Sequence, residues 1–109
     1  MKYRIQRTDY AKLTQGLLRL CSMIPKFFYE PYDSKYECVN LLNTIHRQAE
    51  DTKFLRRNKW EPLLSAYRIQ KTDERIFIES IFGKPYLEFQ IVEVLEEGGR
   101  DGNNNYTQR

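Results

Sequence analysis

The spacing of apolar residues changes once along this chain, near residue 64, and that change restricts the fold more than any other feature. Before it, apolar residues recur every three or four positions, the period of a helix with one buried face. After it they alternate, the period of a half-buried strand. Tyr10, Leu13, Leu17, Leu20, Cys21 and Ile24 form the first stripe and predict a helix over residues 10–24, with Thr8-Asp9 as strand end and N-cap and Pro25 as terminator. Gly16 inside that stripe costs about 1 kcal/mol relative to Ala, which points to a close packing contact. Cys38, Leu41, Leu42, Ile45 and Ala49 form the second stripe. Ser34-Lys35-Tyr36-Glu37 opens it as a capping box, with Ser34 capping and Glu37 reaching back. This helix is expected to fade in the basic stretch 53–59, with a further turn or an anchored loop over Trp60–Leu64.

The strand signals lie at both ends of the chain. Residues 2–7 alternate around Tyr3, Ile5 and Arg7, and residues 66–70 read as a second strand. Residues 75–82 are rich in β-branched and aromatic types and read as a third strand, the rival being a helix over 72–82 closed by Gly83. Gly83-Lys84-Pro85 is a turn. Residues 86–95 place Leu87, Phe89, Ile91 and Leu95 on one face, with Glu88, Gln90 and Val94 on the other. The order β-α-α-β-β-β predicts an α+β fold, with two helices packed on one face of a small, mainly antiparallel sheet. At 109 residues the chain supports one domain, expected over 1–97, with 98–109 as a flexible polar tail.

Composition excludes several function classes. No run approaches the ~20 apolar residues of a spanning helix, so no membrane is expected as partner. The first residues carry no apolar h-region, and two cysteines do not make a disulfide framework. A cytoplasmic location with reduced core thiols at Cys21 and Cys38 is therefore expected. One histidine and two cysteines fall short of the about four ligands of an ordinary zinc module, so no metal is expected. None of the five glycines sits in a phosphate-binding loop, and no cofactor is expected. His46 reads as a structural helix residue. Glu50-Asp51 and Glu96-Glu97 are sequence neighbours, which point apart on regular elements and make no paired-carboxylate site.

Charge is unevenly spread. Residues 1–60 hold 12 basic and 6 acidic residues, net +6, whereas residues 61–109 hold 6 basic and 9 acidic, net −3. Such asymmetry either marks a face suited to an acidic protein or a nucleic acid, or reflects solvated helix faces. Two segments stand out as candidate surfaces. Phe27, Phe28, Tyr29, Tyr32 and Tyr36 crowd five aromatics into ten residues that follow Pro25 and run into the start of the second helix. Exposed, they would form a contact hot spot; buried, they would cap the core. Arg47, Lys53, Arg56, Arg57 and Lys59 lead into Trp60 and pair cations with an aromatic, as a phosphate track would. The plainer reading of that stretch is a solvated helix end whose cations complement the helix dipole.

One segment occurs twice. Tyr3-Arg4-Ile5-Gln6-Arg7-Thr8-Asp9 returns as Tyr67-Arg68-Ile69-Gln70-Lys71-Thr72-Asp73, with one Arg-to-Lys change. Two copies do not make a solenoid. A partial duplication, or two strands in similar surroundings, accounts for the echo; the second is favoured.

The stretch Ala66-Tyr67-Arg68-Ile69 with Asp73-Glu74-Arg75-Ile76 resembles the central hairpin of the ParE/RelE toxin superfamily, and the run Val39–Ile45 resembles its second helix. The β-α-α-β-β-β order fits as well. By that resemblance Arg68 and Arg75 would be phosphate-binding residues of a ribonuclease. The last strand departs from the pattern, ending in Val92-Glu93-Val94-Leu95-Glu96-Glu97, an acidic rim that would repel RNA. The gyrase-inhibiting branch, which binds without cleaving, is less contradicted. Three functional readings follow. The first is a small non-enzymatic protein that docks a protein partner, as an inhibitor or regulator, through Phe27, Phe28, Tyr29, Tyr32, Arg56, Arg57 and Trp60. The second is a RelE-type ribonuclease using Arg68 and Arg75. The third is a non-catalytic nucleic-acid binder using the basic stretch.

Overall fold

A computed structural model describes residues 1–57 and 67–95, with side chains for 1–52 and 67–95. The elements run β1 (Lys2–Asp9), α1 (Gln15–Met23), the short 3-10 helix η1 (Lys26–Tyr29), α2 (Lys35–Arg57), β2 (Tyr67–Lys71), β3 (Arg75–Ser80) and β4 (Pro85–Val94). This is the α+β order read from the sequence. The four strands form one antiparallel sheet in the order β1-β4-β3-β2. Residues 75–80 are a strand, so the rival helix does not form.

The centre of the sheet is β4, the longest strand, paired with β1 on one side and β3 on the other. Its odd-numbered residues Leu87, Phe89 and Ile91 face the helices, beside Ile5 of β1 and Ile76 and Ile78 of β3. α2 lies against all four strands, and α1 packs chiefly on α2. Leu17 and Leu20 of α1 join Cys38, Leu42, Ile45 and Ala49 of α2 in the same buried cluster. Leu95, expected on the buried face, lies past the end of β4 and is 84% exposed.

Two helix starts test the capping logic. Ser34 caps α2, its hydroxyl accepting from the Tyr36 N–H at 3.2 Å. α1 begins five residues later than its stripe predicts, capped by Thr14, whose hydroxyl accepts from the Leu17 N–H at 3.3 Å. The expected cap at Thr8-Asp9 is instead the end of β1, because two contacts hold this stretch extended. The Asp9 carboxylate takes the Arg7 guanidinium at 2.7 and 2.8 Å. The Tyr10 N–H then donates to the Tyr86 carbonyl at 2.9 Å, which prolongs the sheet edge.

β3 and β4 are joined by a tight turn organised by Ser80. Its buried hydroxyl accepts from the N–H groups of Phe82 and Lys84 at 3.1 and 3.0 Å. Gly83 takes φ +89° there, a conformation L side chains rarely adopt. Trp60–Leu64, Ala66 and the 98–109 segment lie outside the described residues.

Leu42 and Leu18 are the same residue type on two helices, one fully buried and one 47% exposed. Leu42→Ala is expected to destabilise the protein by about 2–5 kcal/mol through a lost transfer term and a residual cavity. Leu18→Ala should stay within about 0.5 kcal/mol. Urea unfolding followed by circular dichroism measures both.

Candidate interaction surface

The aromatic connector resolves into inward and outward residues. Pro25 sets an extended backbone before η1, and the single turn that follows sends neighbouring rings in different directions. Phe28 enters the core and is 6% exposed. Tyr29 and Tyr32 are partly buried against that core. Phe27 remains 50% exposed, its ring meeting Phe28 edge-on at a centroid distance of 4.9 Å. Tyr36 projects from the first turn of α2 and is the most exposed of the five.

The backbone beneath Phe27 is pinned. The Tyr32 hydroxyl donates to the Phe27 carbonyl at 2.7 Å, and the Glu30 N–H donates to the same oxygen at 3.3 Å. Tyr32 in turn exchanges two main-chain bonds with Tyr3 of β1, at 2.7 and 2.8 Å. The loop is thus stitched to the sheet edge, and the exposed ring stands on a fixed base. Of the residues expected to dock a partner, Phe27 has the surface to do so. Phe28 serves the core, Tyr29 packs against it, and Tyr32 holds the loop. Arg56 and Arg57 lie in the last turn of α2, where the backbone alone is described. Trp60 lies outside the described residues.

The two arginines singled out by the family resemblance lie on the sheet face away from the helices. Register places Arg68 opposite Glu79, and Arg75 opposite Gln90, beside Glu88. Arg68 sits 3.4 Å from the Glu79 carboxylate, which also accepts from the Gln70 amide at 2.7 Å. The Arg75 guanidinium donates to Glu88 and covers the Phe77 ring at 4.5 Å. Glu88 accepts a second bond from the Tyr10 hydroxyl at 2.6 Å. Tyr10 also meets Phe77 edge-on, with ring centroids 6.1 Å apart.

This cluster is what periodicity missed. Tyr10 falls in the α1 stripe by spacing, and Glu88 falls on the solvated face of β4. Instead Tyr10 crosses to that outer face, and Glu88 is only 7% exposed beneath Tyr10, Arg75 and Phe77. The single sequence signal was the placement of a carboxylate mid-strand, which does not by itself reveal its partners.

Elsewhere, the Arg7–Asp9 pair lies near the half-buried Cys21 thiol and the buried Tyr29 hydroxyl. Burial pushes the pKa of the Cys21 thiol upward, so the protonated form is favoured. Cys38 is fully buried. His46 is half-buried on α2, with Nε2 3.5 Å from the Glu50 carboxylate one turn on. Among the described residues, no three His, Cys, Asp or Glu side chains form a metal-ligating group. No helix among them is long and apolar enough to cross a membrane. Comparison with protein-family models, curated proteins and solved structures finds no match to this chain.

Burial alone would raise the Glu88 pKa, but the Tyr10 hydroxyl and the Arg75 guanidinium outweigh it and hold the carboxyl below its ordinary value of 4.5. A carboxyl depressed on folding stabilises the protein above its unfolded pKa, and that stability is lost as pH falls through the folded value. Glu88→Gln is therefore expected to cost about 1.5–3 kcal/mol at neutral pH. It should also flatten the loss of stability below about pH 4.5 relative to wild type. Urea midpoints measured from pH 7 to pH 3 would reveal both changes.

Proposed function

We propose that this chain is a small, non-enzymatic binding protein that docks a protein partner through η1 and the adjoining outer face of α1. The observation that carries this reading is Phe27, an aromatic side chain half in solvent whose carbonyl accepts from both the Tyr32 hydroxyl and the Glu30 N–H. An aromatic ring on a pinned backbone requires less ordering of the chain when a partner covers it, which is the behaviour of an interface anchor. Leu18 and Met23 of α1 are also exposed, at 47% and 44%, and extend the apolar surface along the same stretch of chain.

The ribonuclease reading has less support. It needs Arg68 and Arg75 available to a phosphate, and each guanidinium is engaged by a carboxylate of its own sheet. An arginine already neutralised offers little charge to a developing phosphorane.

Affinity capture from nuclease-treated lysate tests the docking role when wild type and Phe27→Ser are compared side by side. The expected result is a stoichiometric protein partner on wild type that is lost with Phe27→Ser, the variant melting within about 1 kcal/mol of wild type because the site is half-exposed. A partner retained equally by both proteins would move the docking site elsewhere. Incubation of the purified protein with synthetic RNA should leave the RNA intact. Cleavage abolished by Arg68→Ala would instead establish the ribonuclease.

A further inference from the structure

The charges around Phe27 specify a partner more narrowly than its ring does. Residues 10–29 contain Lys12, Arg19 and Lys26 and no aspartate or glutamate. All three cations are exposed. Among the described residues Lys12, Arg19 and Lys26 make no ion pair, as Arg4, Arg47, Lys71 and Lys84 also make none; what sets residues 10–29 apart is that no carboxylate lies among these cations in the chain. Helical spacing puts Ser22 and Arg19 between Leu18 and Met23 on the outer face of α1. Lys26 then directly precedes Phe27. Exposed apolar side chains and cations are thus interleaved along residues 18–27, the outer face of α1 and the turn that follows it.

We infer that this surface takes an acidic, apolar-faced segment of a partner protein, whose carboxylates meet Arg19 and Lys26 while its apolar side chains cover Phe27, Leu18 and Met23. The inference rests on the docking role proposed above and adds the chemistry of the partner. Complementary charge would steer the encounter and reject basic competitors, and the anchors would set the lifetime of the complex. An anionic lipid surface shares the charge preference but fits the geometry less well. A helix lying in a bilayer buries a broad apolar face, and the apolar face of α1 is already spent on the core through Leu17 and Leu20.

Selection from a phage-displayed library of random peptides on immobilised wild-type protein, with counter-selection on Phe27→Ser, tests this directly. Enriched peptides are expected to carry net negative charge together with large apolar residues. A synthetic copy of one should bind wild type in fluorescence anisotropy and weaken as salt rises. Its affinity should fall about thirtyfold with Phe27→Ser, the effect of truncating an aromatic anchor. The charge-reversed variant Arg19→Glu/Lys26→Glu, altered only at exposed positions, should lose binding as well while keeping the wild-type circular dichroism spectrum. Enrichment of neutral or basic peptides that need Phe27 would overturn the acidic partner and leave docking standing. Failure to enrich any Phe27-dependent peptide would overturn both. Sedimentation with phosphatidylserine–phosphatidylcholine vesicles that requires Phe27, without acidic peptides in the selection, would reassign the surface to lipid.

Discussion

The pairing of the last described strand with the first holds this fold together. β4 lies between β1 and β3, so the four-stranded sheet is complete only when distant residues such as Ile5 and Ile91 meet. That closure is entropically the dearest contact in the molecule, because a long loop must be ordered before it returns anything. Its register is fixed from both sides of the sheet. On the helix side, Ile5 opposes Ile91 and both are buried; a slip by one residue would turn them to solvent. On the outer side, Glu88 is covered by Tyr10 from beyond β1 and by Arg75 from β3. A buried carboxylate left without partners is strongly unfavourable, so the wrong register is penalised as well as the right one favoured.

The repeated heptapeptide falls on the two edges of this sheet. In both copies the Tyr and Ile positions (Tyr3 and Ile5, Tyr67 and Ile69) turn toward the helices, and the Arg and Gln positions (Arg4 and Gln6, Arg68 and Gln70) turn outward. Each copy pairs antiparallel with an inner strand on one side. Similar edge surroundings thus accompany the similar residues, the explanation favoured from the sequence. The edges are nonetheless finished differently. β1 is partly covered by Tyr32 through two main-chain bonds, while Arg68 and Gln70 of β2 share Glu79 with the neighbouring strand.

The fold class was legible because periodicity reports which face is buried, and burial decides the elements. The stripes that became α1 and α2 and the alternation that became β4 all reflect one shared core. What stayed illegible depended on contacts between distant residues. Tyr10 fits a helical stripe by spacing, yet the Tyr86 carbonyl holds its N–H in the sheet and moves the helix start to Thr14. Leu95 continues the alternation of β4, yet the strand ends before it. The connector was conspicuous as five aromatics in ten residues. Which ring faces outward is set by the single turn of η1 and by the Tyr32 hydroxyl, and neither has a periodic signature.

On the outer sheet face Arg68 and Arg75 serve the sheet, since each holds a carboxylate that would otherwise be buried alone or stand unpaired beside it. Stability therefore accounts for those cations without any ligand. Arg19 and Lys26 neutralise no carboxylate in the described chain, and the exposed half of Phe27 lies outside the core. The loop beneath Phe27 is nevertheless ordered by Tyr32, Glu30 and Tyr3. Ordering a loop costs backbone entropy of about 1–2 kcal/mol per residue, and burial of Phe28 is one return on it. The same anchoring fixes the backbone of Phe27, so under the proposed docking role that segment would need no further ordering. Packing and presentation are thus joined in adjacent residues: Phe28 secures the turn, and the secured turn holds Phe27 out.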